Sequence, residues 1–137
     1  MIRLLGTLVF GFLMLNPMVS FAEDPQETVA TPKSSSGYMQ IKPTITTNYD
    51  SDRLKYVRID VALRTQEVNV EPLKYYQAPI TDLFLMLLSR QDKETLTSMD
   101  GMAALREQAR EQINEFLQTE GLEAEVEEVL FLSYLVE

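Results

Sequence analysis

Alternation of apolar and polar positions marks two stretches of this chain as strands. Met39, Ile41, Pro43 and Ile45 alternate with Gln40, Lys42, Thr44 and Thr46; further on, Val57, Ile59, Val61 and Leu63 alternate with Tyr56, Arg58, Asp60, Ala62 and Arg64. A period of two sends successive side chains to opposite faces, so each stretch predicts a strand with one face on a core and one in water. That pattern belongs to an antiparallel sheet, since a parallel sheet buried on both sides gives continuous apolar runs instead. Pro43 brings no N–H to a ladder, which predicts an edge strand or a bulge there. The turn-prone run from Asn48 to Asp52 makes the two strands a hairpin pair.

Beyond Arg64 the spacing changes. A segment holding Pro72, Tyr75 and Tyr76 reads as a polar loop, after which Pro79 sits where a first helical turn tolerates it. Ile80, Leu83, Phe84, Leu87 and Leu88 follow at helical spacing, and Leu85 and Met86 widen the apolar arc enough to predict a deeply buried helix. Thr97 or Ser98 caps a second helix, with Asp100 as the acidic half of a capping box begun by Thr97. Its stripe is Met102, Leu105, Ala109, Ile113, Phe116 and Leu117, with Arg106, Glu107, Arg110, Glu111 and Glu115 toward solvent and Gly121 as the stop. The run from Val126 to Val136, rich in β-formers, is expected to be a central strand. The order is then β-β-α-α-β, an α+β fold with two main helices packed on one face of an antiparallel sheet.

The start of the chain follows a different logic. Residues 1–22 combine Arg3, an apolar core from Leu4 to Leu15, and small residues at Ser20 and Ala22 before polar Glu23, the layout of a signal peptide cleaved between Ala22 and Glu23. The alternative is an uncleaved anchor, since Leu4 to Phe21 approaches the length that spans a bilayer. Either way Arg3 stays on the cytoplasmic side and the remainder crosses the membrane. Residues 23–37, with two prolines and the run from Ser34 to Gly37, read as a flexible linker, leaving 38–137 as the domain.

Charge and missing residue types narrow the chemistry. Twelve Lys and Arg stand against 21 Asp and Glu, a net charge of −9, which lacks the basic footprint that nucleic acid or anionic lipid requires. Cysteine and histidine are both absent. That removes disulfides, thiol nucleophiles, a lipid-bearing cysteine, the Ser-His-Asp arrangement and the usual zinc sites. No calcium-loop spacing, Gly-rich phosphate loop or S-x-x-K pair occurs, so neither a metal nor a cofactor is expected. Glu120, Glu123, Glu125, Glu127 and Glu128 read as a solvated helix end and strand entrance. Asp60 reads as the polar side of a strand, and Asp82 as a first-turn carboxylate facing the helix dipole. Tyr75 and Tyr76, the aromatics of a polar loop, are either interface anchors or a lid over the core.

Five segments stand in a telling order and spacing: Tyr38 to Pro43 with Asn48 beyond, Leu54 to Val61, Ala78 to Asp82 opening a helix that ends at Leu87-Leu88-Ser89, Gly101 before Leu105-Arg106 and Ile113-Asn114, and Val129 to Phe131. Together they resemble the FliL family of flagellar basal-body proteins. The resemblance implies a periplasmic domain of stomatin-like (SPFH) fold, assembling as homo-oligomeric rings around the stator units of the flagellar motor, with no catalysis. It implies a partner surface drawing on the linker and first strand, where Tyr38, Gln40 and Lys42 are the candidates, joined by Tyr75 and Tyr76. The chain departs from typical relatives in its short leader, where they keep a membrane helix. The alternative is a periplasmic scaffold of the same fold serving a different envelope complex.

Overall fold

A computed structural model describes residues 35–50 and 54–137, which fall within one contact unit, Pro32–Glu137. The leader, the Ala22–Glu23 junction, the linker as far as residue 34, and Ser51 and Asp52 of the hairpin turn lie outside the described residues. The elements are β1 (Ser36–Gln40), β2 (Ile45–Asn48), β3 (Tyr56–Gln66), a 3-10 turn (Glu67–Asn69), α1 (Val70–Tyr75), α2 (Gln77–Ser89), α3 (Lys93–Thr97), α4 (Met99–Thr119) and β4 (Val126–Val136). The fold is α+β with an antiparallel sheet, and its element order is richer than β-β-α-α-β.

β3 is the centre of the sheet. β1 and β2 both pair with it along one edge, in antiparallel register from Ser36↔Gln66 to Gln40↔Ala62 and from Ile45↔Ile59 to Asn48↔Tyr56. They are one alternating stretch broken at the proline. Ile41 still donates to the Val61 carbonyl at 2.9 Å, and pairing resumes at Ile45, so Lys42, Pro43 and Thr44 bulge out opposite Asp60. The strand begins at Ser36, earlier than Tyr38, because Ser36 and Gly37 find partners in Gln66 and Thr65.

β4 takes the other edge, antiparallel to β3 from Val57↔Val136 to Thr65↔Val126. It is therefore an edge strand, not the central strand its apolar run predicts. Apolar content misleads here because β4 buries one flank under a helix and leaves Leu132 and Leu135 exposed. The register shifts between Asp60 and Val61 and again between Arg64 and Thr65, making Leu132 and Glu127 extra residues on β4.

Val57, Ile59, Val61 and Leu63 are fully buried on one face of β3, with Met39, Ile41 and Ile45 beside them. Ile80, Phe84 and Leu88 of α2, Leu96 of α3, and Leu105, Ile113 and Leu117 of α4 close over that face in a single core. α2 is less buried than its arc predicts: Met86 is exposed, and Leu83 and Leu85 are half-buried, packed against the core from either flank. It also begins at Gln77, which puts Asp82 in its second turn, exposed on the surface.

Two short helices occupy stretches that read as loop. Pro72 and Pro79 each fall in a first turn, where a missing N–H costs no helical bond, so proline marks α1 as a start and not an interruption. α3 is capped by Asp92, whose carboxylate accepts from the Thr95 N–H at 2.8 Å; that bond, with the Thr95 hydroxyl, holds Asp92 below the usual carboxylate range. The cap of α4 is Ser98, its hydroxyl accepting from the Gly101 N–H at 3.1 Å, while Thr97 turns back to the Lys93 carbonyl. Gly101 allows this tight entry, since a Cβ there would lie 2.1 Å from the Thr95 carbonyl oxygen. At the far end Gly121, at φ 76°, donates to Gln118 O and Leu122 donates to Leu117 O, closing the helix with a left-handed cap. Ser98→Ala is expected to cost about 1 kcal/mol in denaturant unfolding, whereas Thr97→Ala removes no cap.

Candidate functional site

The exposed surfaces divide according to which side of the sheet they occupy. Tyr38 and Gln40 pair with Arg64 and Ala62 and share their face, the one the helices leave open. Tyr38 is 58% exposed and Gln40 is exposed. Lys42 rides on the bulge, its backbone carbonyl accepting a 2.7 Å bond from the Gln77 amide at the start of α2. Below the bulge the Thr44 hydroxyl donates to Asp60 at 2.6 Å, so that carboxylate is engaged within the sheet.

Tyr75 and Tyr76 are elsewhere and differ from each other. Both belong to the α1–α2 junction on the helical side, ring centroids 5.1 Å apart, edge to face. Tyr76 is half-buried and meets Phe116 of α4 at 5.8 Å, so it is the lid over the core; Tyr75 is 83% exposed. The five candidates therefore separate into Tyr38, Gln40 and Lys42 on one side and Tyr75 and Tyr76 on the other, with Tyr75 the exposed one of that pair.

Chemistry at the carboxylates is modest. Arg64 stands between Glu127 and Glu128, with nitrogens 3.4 Å and 3.1 Å from their oxygens, and so neutralises part of the glutamate run. Its Nε is buried and lacks an aligned acceptor, which makes the first contact an ion pair without a hydrogen bond. Among the described residues no three acidic side chains converge to hold a metal ion. Glu107 and Arg110 form an exposed pair one turn apart, which lowers the carboxyl and raises the guanidinium from their ordinary values.

The other feature is the seam between α4 and β4. Arg106 lies over the Phe131 ring at 5.9 Å, and Phe131 stacks on Tyr134. Burial pushes the Tyr134 phenol up to about 12, with Tyr49 adding in the same direction. Where the seam narrows, the Asn114 amide donates to the Val126 carbonyl at 2.9 Å and accepts from the Val126 N–H at 2.8 Å. Periodicity alone gives no warning of this seam, because Arg106 reads as solvent-facing and Phe131 as part of an apolar run.

The family model for flagellar basal body-associated protein FliL matches residues 38–136. The chain belongs to the FliL family. The match runs from Tyr38 in β1 to Val136 at the end of β4, so it takes in nearly the whole sheet and every helix named above. A search of curated proteins finds no match. Membership makes this FliL-family domain a flagellar basal-body-associated protein, a class of accessory proteins and not of known enzymes. Among the described residues no helix is long and apolar enough to cross a membrane.

Proposed function

We propose that this FliL-family domain works in the periplasm at the flagellar basal body, supporting the stator units through protein–protein contacts and raising the torque available under load. The family match over residues 38–136 carries this reading. The resemblance to a stomatin-like fold and to ring-forming relatives extends it to a homo-oligomer whose subunits surround the stators. Its delivery rests on residues 1–22, acting as a signal peptide cleaved after Ala22 or as an inner-membrane anchor. Tyr38, Gln40 and Lys42 are the surface offered to the partner, because they are exposed on the edge and open face of the sheet; Tyr75 is a separate exposed anchor, and Tyr76 contributes by holding α1 to the core.

Deletion of the gene is expected to reduce swarming and single-motor torque at high load, with recovery on complementation by the intact chain. Complementation by a Tyr38→Ala, Lys42→Glu double variant should restore protein level but only part of the torque. Crosslinking in cells should recover stator or basal-body proteins. A deletion strain equal to its parent in swarming, soft-agar spreading and motor torque would remove the reading, and recovery of an unrelated envelope complex would put the scaffold alternative in its place.

A further inference from the structure

The methionines among the described residues are graded by exposure: Met99 is 82% exposed and Met86 41%, Met102 is half-buried, and Met39 is 1% exposed. In a chain without cysteine, the thioether sulfur is the atom that a mild two-electron oxidant attacks most readily, and attack follows access. The fold therefore sets an order of reaction. Met39 is sealed in the core with Ile41 and Ile59, and Met86 stands on the outer side of α2. Met99 and Met102 are a different case, because they lie one turn apart at the start of α4 and line the same hollow.

That hollow, about 250 Å³, lies in the groove between α4 and β4, and its other walls are Arg106, Phe131 and Tyr134. It has ample room for a molecule the size of water or a peroxide. Met102 and Arg106 are four residues apart on α4, the spacing that sets side chains beside each other on one helical face. Arg106 holds its guanidinium 5.9 Å from the centre of the Phe131 ring, while the ion pairs nearby engage Arg64 and Arg110 instead. The hollow thus brings together a cation held by an aromatic face and a sulfur that accepts hydrogen bonds only weakly.

We propose that Met99 and Met102 form an oxidation site for peroxides, and that the sulfoxide of Met102 draws Arg106 away from Phe131. A sulfur lone pair attacks one peroxide oxygen, so an S–O bond forms and the O–O bond breaks; the hydroxide that leaves takes the proton of the new S–OH group, giving water and a sulfoxide. The sulfur loses two electrons and the peroxide gains them. Met99 reacts first at the rim, two turns before Arg106, and Met102 follows inside the groove. The new oxygen on Met102 is a strong acceptor one turn before the arginine. A charge-assisted hydrogen bond to it outweighs the hold of a ring on a partly exposed cation, so the guanidinium moves to the sulfoxide. This inference goes beyond the flagellar reading and holds whichever partner the domain meets.

The test treats the full chain, labelled with 13C at its methionine methyl groups and 15N in its arginines, with hydrogen peroxide, and follows it by NMR and by mass spectrometry of its peptides. Sulfoxide is expected at Met99 first and at Met102 next, while Met39 stays unmodified in the folded chain. The Arg106 Nε–H signal should move downfield in step with Met102, as it leaves the shielding face of Phe131 for an oxygen acceptor. Conversion of Met86, on another helix, should leave it unmoved. Treatment with methionine sulfoxide reductases should return the signal to its starting position. Met99→Leu should keep the shift, and Met102→Leu, which conserves volume, should abolish it while Met99 still oxidises. The proposal is overturned if Met102 reacts no faster than Met39, if the Arg106 signal stays fixed once Met102 has converted, or if it still moves in Met102→Leu.

Discussion

Ile59→Ala is expected to destabilise the domain by about 3 kcal/mol and to lower its Tm by at least about 12 °C, whereas Arg58→Ala should stay within about 0.5 kcal/mol of the parent. The two residues are neighbours on one strand, so propensity and chain position are matched and only the face differs. Ile59 is completely buried, paired with Ile45 on one side and Tyr134 on the other, beneath α2 and α4. Removing its three carbons leaves a void that close-packed neighbours fill only in part. Arg58 pairs with Thr46 and Leu135 on the open face, where it is exposed. Denaturant unfolding of the full-length variants, followed by circular dichroism, measures both. Comparable costs at the two positions would mean that the helices do not cover the Val57 to Leu63 face.

That contrast was legible because β3 is long, central and wet on one side, which leaves a clean period of two in its sequence. Pro43 was equally readable: a residue with no N–H breaks an edge strand, and β1 and β2 separate there. Ser98 and Gly121 bracket α4 for reasons that are local to the chain. What stayed hidden depends on contacts across the fold. α1 and α3 are too short to show a helical period, and Pro72 mimics a loop signal while opening a helix. β4 looks central because apolar residues mark its buried flank and its exposed Leu132 and Leu135 alike, and the extra residues Glu127 and Leu132 have no signature before pairing with β3 is known. Among the candidates for contact, Tyr38, Gln40 and Lys42 came from the family resemblance, by position on the first strand, and alternation accounts only for the exposure of Tyr38 and Gln40. The fate of Tyr75 and Tyr76 required knowing where Phe116 would lie. The α4–β4 groove needed both partners in place, Arg106 and Phe131 among them, which lie far apart in the chain.

Asn114→Ala should cost about 2–3 kcal/mol, more than the loss of an exposed helical side chain, because it strands both an N–H and a C=O at the first residue of β4. Val126 is fully buried, and the Asn114 amide is its partner on the outward side, at 2.8 Å and 2.9 Å. The same chain segment is tied from within by the Thr65 hydroxyl, which donates to the Glu125 carbonyl at 2.6 Å. Loss of Asn114 therefore loosens the start of β4 without detaching it, and the change should be local. Hydrogen exchange is expected to accelerate most at Val126, while amides at the centre of β3 change only by the global loss of stability. Asn114→Asp separates the two halves of the interaction: the carboxylate still accepts from the Val126 N–H, but places its second oxygen against the carbonyl. It should cost at least as much as alanine, because a repelled acceptor is worse than an absent donor. Equal exchange at Val126 in the parent and in Asn114→Ala would show that the side-chain amide does not cap this edge.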